Sequence, residues 1–466
     1  MATGIALSGC LAPTEFHRPE LPGGFEWEVS TDLGRDKPSI DDEWWRAFGD
    51  RGLNAVIPVV LAANNDLLAT SLRARRAMLD ARLAGETGMP KFSGGADGNT
   101  NRPFGGSRSA TQHFQSAFNL SYELDLWGRT AAIRDIGNLE ASASTEDLEA
   151  ARLTVVAATV STWWRLGHTN QMLDSASAGL AVTERTERIV ETMRRVETAS
   201  DLERFEITQV LETQRAAREA LLRERAKQRI SLAILLNGSA DPIAEPLRLP
   251  PGALPELPPG LPADLISRRP DLRAAEMRLR AALRRTDEKK VSFYPPISLT
   301  GSLGAGGQEL AHVLANPLAT LGTRAVLPFL NLREMGLQVK VSEVQYEEAV
   351  TSFRGAMLTA LSEVSDGLSV RTSLSREALH LTRALEAHRR VEALYEKRFR
   401  AGSLPLRPLL EAQERTRLAE NMLIDNRLAR LLNEGSLVRA LGGAAIPAPD
   451  ERSGSDPSVA ARNTVR

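Results

Sequence analysis

Residues 114–122 read Phe114-Gln115-Ser116-Ala117-Phe118-Asn119-Leu120-Ser121-Tyr122, with Phe114, Ser116, Phe118, Leu120 and Tyr122 sharing one face and Gln115, Ala117, Asn119 and Ser121 the other. A period of two is the signature of an extended strand. A few residues later the period changes. From Ala131 onward apolar residues recur by sevens, as in Leu166, Leu173 and Leu180 with Val182, Ile189 and Val196, which is coiled-coil spacing. A helix from Ala131 to about Val196 would be roughly 100 Å long at 1.5 Å per residue. No globular core covers that length, so the helix must pack along neighbours.

The same transition occurs twice. Ile297, Leu299, Gly301 and Leu303 alternate with Ser298, Thr300, Ser302 and Gly304, and heptads follow at Leu374 and Leu381 with Ala378 and Leu385. Laid on itself, the chain repeats at an offset of about 205 residues, too long for a solenoid and therefore a duplicated half. Asn65-Asp66-Leu67 leads to Met89-Pro90-Lys91-Phe92 as Pro270-Asp271-Leu272 leads to Tyr294-Pro295-Pro296-Ile297, with 24 residues from Asp to Pro in both. Leu126-Trp127-Gly128-Arg129 corresponds to Leu330-Asn331-Leu332-Arg333, and 153–160 to 357–364. Each half is expected to run helix, two strands, very long helix, turn, second long helix, ending near Leu236 or Leu441.

These landmarks divide the chain. Residues 1–9 read as the remnant of a signal peptide, 10–50 as an extended N-terminal segment, and 51–236 as the first repeat, with strands at about 92–106 and 111–122. Residues 237–262 carry eight prolines and form an extended linker, since proline lacks the helical donor. The second repeat spans 263–441, with strands at about 297–305 and 318–328, and 442–466 is expected to be disordered. Pro58 falls inside an expected helix and should kink or end it.

Of 466 residues, 42% are apolar and 25% charged, with 58 basic against 59 acidic side chains. Near-neutrality argues against nucleic acid, whose phosphates demand a basic surplus. No apolar run approaches the roughly 18–20 residues of a membrane-spanning helix. The strands admit two readings. An apolar face opposite a small polar face over about 10 residues suits a membrane barrel and equally a half-buried strand of a soluble sheet. Four strands cannot close a barrel, for which about eight is the practical minimum, so a barrel reading requires oligomerisation.

The single cysteine, Cys10, cannot form an internal disulfide. Leu7-Ser8-Gly9-Cys10 matches the lipobox at which bacterial lipoproteins are cut and acylated. None of the nine preceding residues is basic, so a full signal would need a start further upstream.

Together, Leu7-Ser8-Gly9-Cys10, Trp44-Trp45-Arg46-Ala47-Phe48, Tyr122-Glu123-Leu124-Asp125-Leu126-Trp127-Gly128-Arg129, Arg268-Arg269-Pro270-Asp271-Leu272-Arg273-Ala274-Ala275-Glu276 and the duplication resemble the bacterial outer membrane factors. These are the TolC-like channels of tripartite efflux pumps, and the resemblance is closer to their NodT-type lipoprotein branch. It covers roughly residues 10–443. It implies a homotrimer with a shared twelve-stranded barrel, four strands per chain, on a coiled-coil α-helical barrel. The partners implied are a periplasmic adaptor, an inner-membrane RND-type pump and outer-membrane lipid through acylated Cys10. No cofactor is implied.

The resemblance also places the closed periplasmic end at two hairpin turns. One is Glu197-Thr198-Ala199-Ser200-Asp201, the other Arg400-Ala401-Gly402-Ser403-Leu404. Ala199, Ser200, Ala401, Gly402 and Ser403 are the implied adaptor contacts. The first turn lacks the family's glycine and looks about two residues shorter than the family's. Leu409-Leu410-Glu411-Ala412-Gln413 matches the segment whose acidic residue rings the constriction, making Glu411 the gate candidate, with Arg407 and Glu414 replacing the apolar and basic residues usual there. Three carboxylates brought together repel or coordinate cations; charges on a solvated helix face are the plainer alternative.

An enzyme finds little support, for the sequence has no H-E-x-x-H, phosphate loop or G-x-S-x-G elbow. The Trp44, Trp45, Trp163 and Trp164 indoles read as core or inter-subunit packing. A type I protein-secretion duct and a periplasmic coiled-coil scaffold without a channel remain as alternatives.

Overall fold

The structure, a computed structural model, describes residues 13–19, 43–102, 110–197, 199–238, 244–255, 268–309, 317–326 and 331–443. Cys10, Thr198 and residues 444–466 lie outside the described residues. After a 3₁₀ turn at Trp44–Phe48, the first repeat contains α1 (Arg51–Ala63), α2 (Asn65–Gly85), β1 (Lys91–Asn101), β2 (Thr111–Leu124), α3 (Arg129–Arg195) and α4 (Asp201–Leu235). The second contains α5 (Pro270–Val291), β3 (Ile297–Gly307), β4 (Pro317–Ala325), α6 (Leu332–Arg400) and α7 (Leu406–Ala440). The duplication is visible in the element ends. α4 and α7 are 35 residues each, and α3 and α6 are 67 and 69.

The boundaries differ from the sequence reading where local chemistry decides. Pro58 neither ends nor interrupts α1, which continues through it to Ala63; the break comes at Asn64, whose side chain accepts from the Leu67 amide (3.0 Å) and donates to the Leu235 carbonyl (3.2 Å). β1 is described from Lys91 to Asn101, and the part of the expected strand from 103 to 106 lies outside the described residues. Arg102 precedes Pro103, which offers no ladder donor. β4 runs to Ala325, opposite Ile297 where β3 begins behind Pro295 and Pro296, and positions 327 and 328 of the expected strand lie outside the described residues. The strands expected at 111–122 and 297–305 extend to Leu124 and Gly307. Gly442 and Gly443, assigned to the disordered tail, close α7 with amide bonds to Arg439 O (2.9 Å) and Val438 O (3.0 Å).

The described residues divide into two compact units, the first drawn from Met1–Phe25, Ser71–Leu148 and Asp271–Met357 and the second from Glu26–Thr70, Glu149–Pro270 and Leu358–Arg466. The first holds one antiparallel sheet in the order β1-β2-β3-β4. Phe92, Leu120, Gly301 and Leu321 form one row across it and Phe118, Leu303 and Ala319 another. This face is apolar yet open, with Phe118 75% and Leu321 88% exposed. The opposite face carries Asn119 and Ser121, both exposed, and Thr300 and Ser302, both half-buried, and none of these four is buried. A soluble sheet buries one face; this one buries neither.

At the helix side of the sheet, the Trp127 indole stacks on Tyr294 at 4.9 Å and donates to Pro295 O (3.0 Å), tying the β2–α3 corner of the first repeat to the α5–β3 corner of the second. Asp125 caps α3 by accepting from the Thr130 (3.2 Å) and Ala131 (2.8 Å) amides. Burial opposes its ionisation, but these bonds and one from the Thr130 hydroxyl hold its carboxyl below its ordinary value. An N-terminal strap lies along α5. Thr14 N donates to Asp287 (3.1 Å), Phe16 sits under the Arg280 guanidinium at 4.7 Å, and Arg18 pairs with Glu276 at 2.6 Å.

The second unit is built round a packed apolar core. Trp44, Trp45, Phe48, Leu53, Ile57, Trp163, Trp164, Leu166 and Leu431 are buried in one cluster, so the tryptophan pairs serve packing. Trp163 donates to Asp50 Oδ2 (2.9 Å), and Asp50 also caps α1 through the Leu53 amide. Beside this core Glu434, 1% exposed, pairs with Arg371 at 2.7 Å. Burial pushes the Glu434 carboxyl up against the pull of Arg371.

Hairpin tips and candidate gate

Each hairpin turn in the second unit is five residues, 196–200 and 401–405. In the second, Gly402 takes φ 72°, and Gly402 N and Ser403 N donate to Phe399 O (2.9 Å) and Arg398 O (3.0 Å). This paired pattern satisfies the last carbonyls of α6 through a left-handed residue. In the first, Glu197 occupies the matching position with φ 56°, donating to Arg194 O at 3.0 Å. The missing glycine changes the residue and leaves the left-handed conformation in place.

The turns lead into helices differently. Ser200 N donates to Glu203 Oε2 at 2.7 Å in a capping box, and the Ser200 hydroxyl and amide hold the Glu203 carboxyl below its ordinary value. At the matching place α7 starts after Pro405, which offers no side-chain cap. Under both turns Val190, Ile207, Leu406 and Leu410 form one buried cluster, with Ala199 and Phe399 packed on it. Ser200, Ala401, Gly402 and Ser403 remain exposed. The structure thus joins the expected contact residues of both hairpins over shared apolar support.

Glu411 lies one turn along α7 from the second tip. Arg407 Nε reaches its Oε1 at 3.2 Å and Arg415 its Oε2 at 3.6 Å, so the carboxylate is bracketed from four residues before and four after. Glu414 pairs instead with Arg417, Nε to Oε2 at 2.9 Å. Arg415 escaped the sequence reading, though the four-residue helical spacing would have found it. These charges border a groove of about 620 Å³ between α4 and α7, lined on the α4 side by Glu206, Gln209, Val210 and Thr213. The three gate candidates lie together on this groove, with Glu411 flanked by two arginines on an exposed helix face.

A small exposed sheet and duplicated long helical hairpins are the architecture that comparison with known proteins identifies. The family model for outer membrane efflux proteins matches residues 56–238 and 261–443. The chain is 27% identical over 455 residues to the toluene efflux pump outer membrane protein TtgC of Pseudomonas putida, covering 95% of this chain and 94% of that one. It is 29% identical over 424 residues to the pyoverdine export outer membrane protein OpmQ of Pseudomonas aeruginosa, covering 88% and 89%. Among solved structures, the outer-membrane channel OprN superposes with a TM-score of 0.85 at 22% identity, over 94% of this chain and 100% of that chain. A membrane protein from Pseudomonas aeruginosa superposes at 0.84 with 28% identity, over 95% and 99%. The chain belongs to the outer membrane efflux protein family. It is an outer-membrane efflux component, in a family of transport proteins.

Proposed function

We propose that three copies form a passive conduit that carries small molecules across the periplasm and outer membrane, fed by an RND-type inner-membrane pump through a periplasmic adaptor. One observation carries this. Each chain presents a four-stranded sheet whose outer strands β1 and β4 are open and whose two faces are both uncovered. Unpaired edges are not viable in lipid, and three such sheets supply twelve strands to a closed barrel. The names of TtgC and OpmQ, a toluene efflux protein and a pyoverdine export protein, support small organic cargo. A scaffold without a channel leaves the segregated sheet faces unexplained.

The tips at Ala199, Ser200, Ala401, Gly402 and Ser403 are the adaptor contacts in this reading, and the Arg407–Glu411–Arg415 triad, with Glu414 beside it, is the gate. Cys10 carries the acyl anchor. Light scattering on detergent-extracted protein, corrected for bound detergent, tests the assembly: a mass of three 50.7 kDa chains is expected, and a monomer refutes it. Glu411→Ala should change single-channel conductance or cation selectivity; unchanged values remove Glu411 from the gate. With a complete signal supplied, fatty-acid label should enter the protein and be lost in Cys10→Ala.

A further inference from the structure

The strands carry five side chains of the Asp, Glu, His, Lys and Arg types, Lys91, Asp97, His113, Glu123 and Arg324. The register puts all five on the polar face. Lys91 stands opposite Ser121, Asp97 opposite Gln115, His113 opposite Asn99, and Glu123, Ser298 and Arg324 form a single row. The apolar face has none. Charge is also ordered along the polar face: Lys91, Glu123 and Arg324 sit where the strands join helices, while Asp97 and His113 lie toward the far turn.

At the helix side, only the cations are unspent. Arg129 grips both oxygens of Glu123, at 2.8 and 3.0 Å. Lys91 and Arg324 make no ion pair among the described residues, and both are exposed. They stand on the two open strands, β1 and β4. In the order β1-β2-β3-β4 with every pairing antiparallel, β1 and β4 run in opposite directions. Identical copies can therefore close only with β4 of one beside β1 of the next, again antiparallel. Each seam then brings an Arg324 and a Lys91 to the same end of the same face.

The geometry points to a cationic collar, formed by Lys91 and Arg324 at every seam where the helical conduit enters the barrel, that sets a preference for small anions and acid-bearing molecules. The inference rests on the trimeric conduit reading. Its reach is set by screening: a charge is felt over about 10 Å at 0.1 M salt and about 3 Å at 1 M, so the collar acts on the lumen in dilute salt and fades in concentrated salt.

The test is the chloride-to-potassium permeability ratio of the full-length protein in planar bilayers, taken from the reversal potential in a KCl gradient. The double variant Lys91→Gln/Arg324→Gln should lower the ratio on the order of twofold in dilute salt, with little change in concentrated salt. Lys91→Arg/Arg324→Lys, which keeps the charge, should match the parent. A conducting trimeric double variant with an unchanged ratio overturns the collar, as does an equal loss in the charge-conserving variant. Parent protein that is monomeric and does not conduct overturns the conduit reading itself, a separate outcome visible before any variant is made.

Discussion

The two hairpins are copies of one design, yet each is secured at the opposite end. In the first, α4 begins with the Ser200–Glu203 box, but α3 ends on Glu197, a side-chain-bearing residue at φ 56°. In the second, α6 ends on Gly402 at φ 72°, while α7 begins behind an uncapping Pro405. The far ends repeat the contrast. Asn237 (φ 55°) and Gly442 (φ 80°) close α4 and α7 through the same bonding pattern. Duplication therefore conserved backbone conformation more strictly than the residues best suited to it. A left-handed residue other than glycine costs about 1 kcal/mol or more, tolerated where the rest of the turn determines the geometry.

The sharpest way to separate the repeats is in their second long helices. Glu434 of α7 is buried against Arg371, whereas the matching Arg229 of α4 is a surface partner of Glu245 at 2.9 Å. Arg371→Ala should cost about 3–5 kcal/mol, read as a fall in Tm in detergent, because it strands a buried carboxylate; Arg229→Ala should cost under about 1 kcal/mol. Since the Glu434 carboxyl is pushed up, the fold favours its neutral form, and the Arg371→Ala penalty should shrink as pH is lowered from 7 into the acidic range. Equal penalties for the two variants would erase the distinction.

Next come the helix ends. Gly442→Ala should lose about 1–3 kcal/mol, because an added Cβ would meet the Arg268 backbone at 2.8 Å in addition to the strain at φ 80°. Asn237→Ala should lose less than Gly442→Ala by the same thermal assay. At the tips, where Gly402 has open space around it, Gly402→Ala should cost about 1 kcal/mol and Glu197→Gly should gain up to about as much. A loss in Glu197→Gly would mean that its side chain, rather than its backbone, holds the first turn.

The smallest effect concerns the box. Glu203→Ala should cost about half a kcal/mol near neutral pH. Because Glu203 titrates below its ordinary value in the folded chain, that contribution is present above about pH 4 and lost as pH falls through that range. A pH-independent difference between Glu203→Ala and the parent would show that the carboxylate does not cap.

Much of this was legible in the sequence, for identifiable reasons. Periods of two and seven and the shared offset expose strands, heptads and duplication, and the ends near Leu236 and Leu441 fall within a residue of the helix ends. The break at Asn64 was not legible, because proline is the usual breaker and Pro58 drew attention away from a capping asparagine. Glu197 in a left-handed conformation leaves no mark in a sequence scanned for glycine. The bracketing of Glu411 by Arg407 and Arg415 was half visible. The strap could not be foreseen, since its contacts join residues 258 to 273 positions apart.

That strap doubles as a ruler. Thr14 meets Asp287 near the sheet-side end of α5 and Arg18 meets Glu276 further from it, so from Arg18 back to Thr14 the strap runs toward the strands. Four residues of extended backbone reach about 14 Å at most. If Cys10 carries the acyl group proposed for it, those four residues tether the lipid within about that distance of Thr14. The proposed anchor and the apolar sheet face would then have to meet one bilayer, so lengthening the segment between Cys10 and Thr14 would relax a constraint that the sheet alone does not impose.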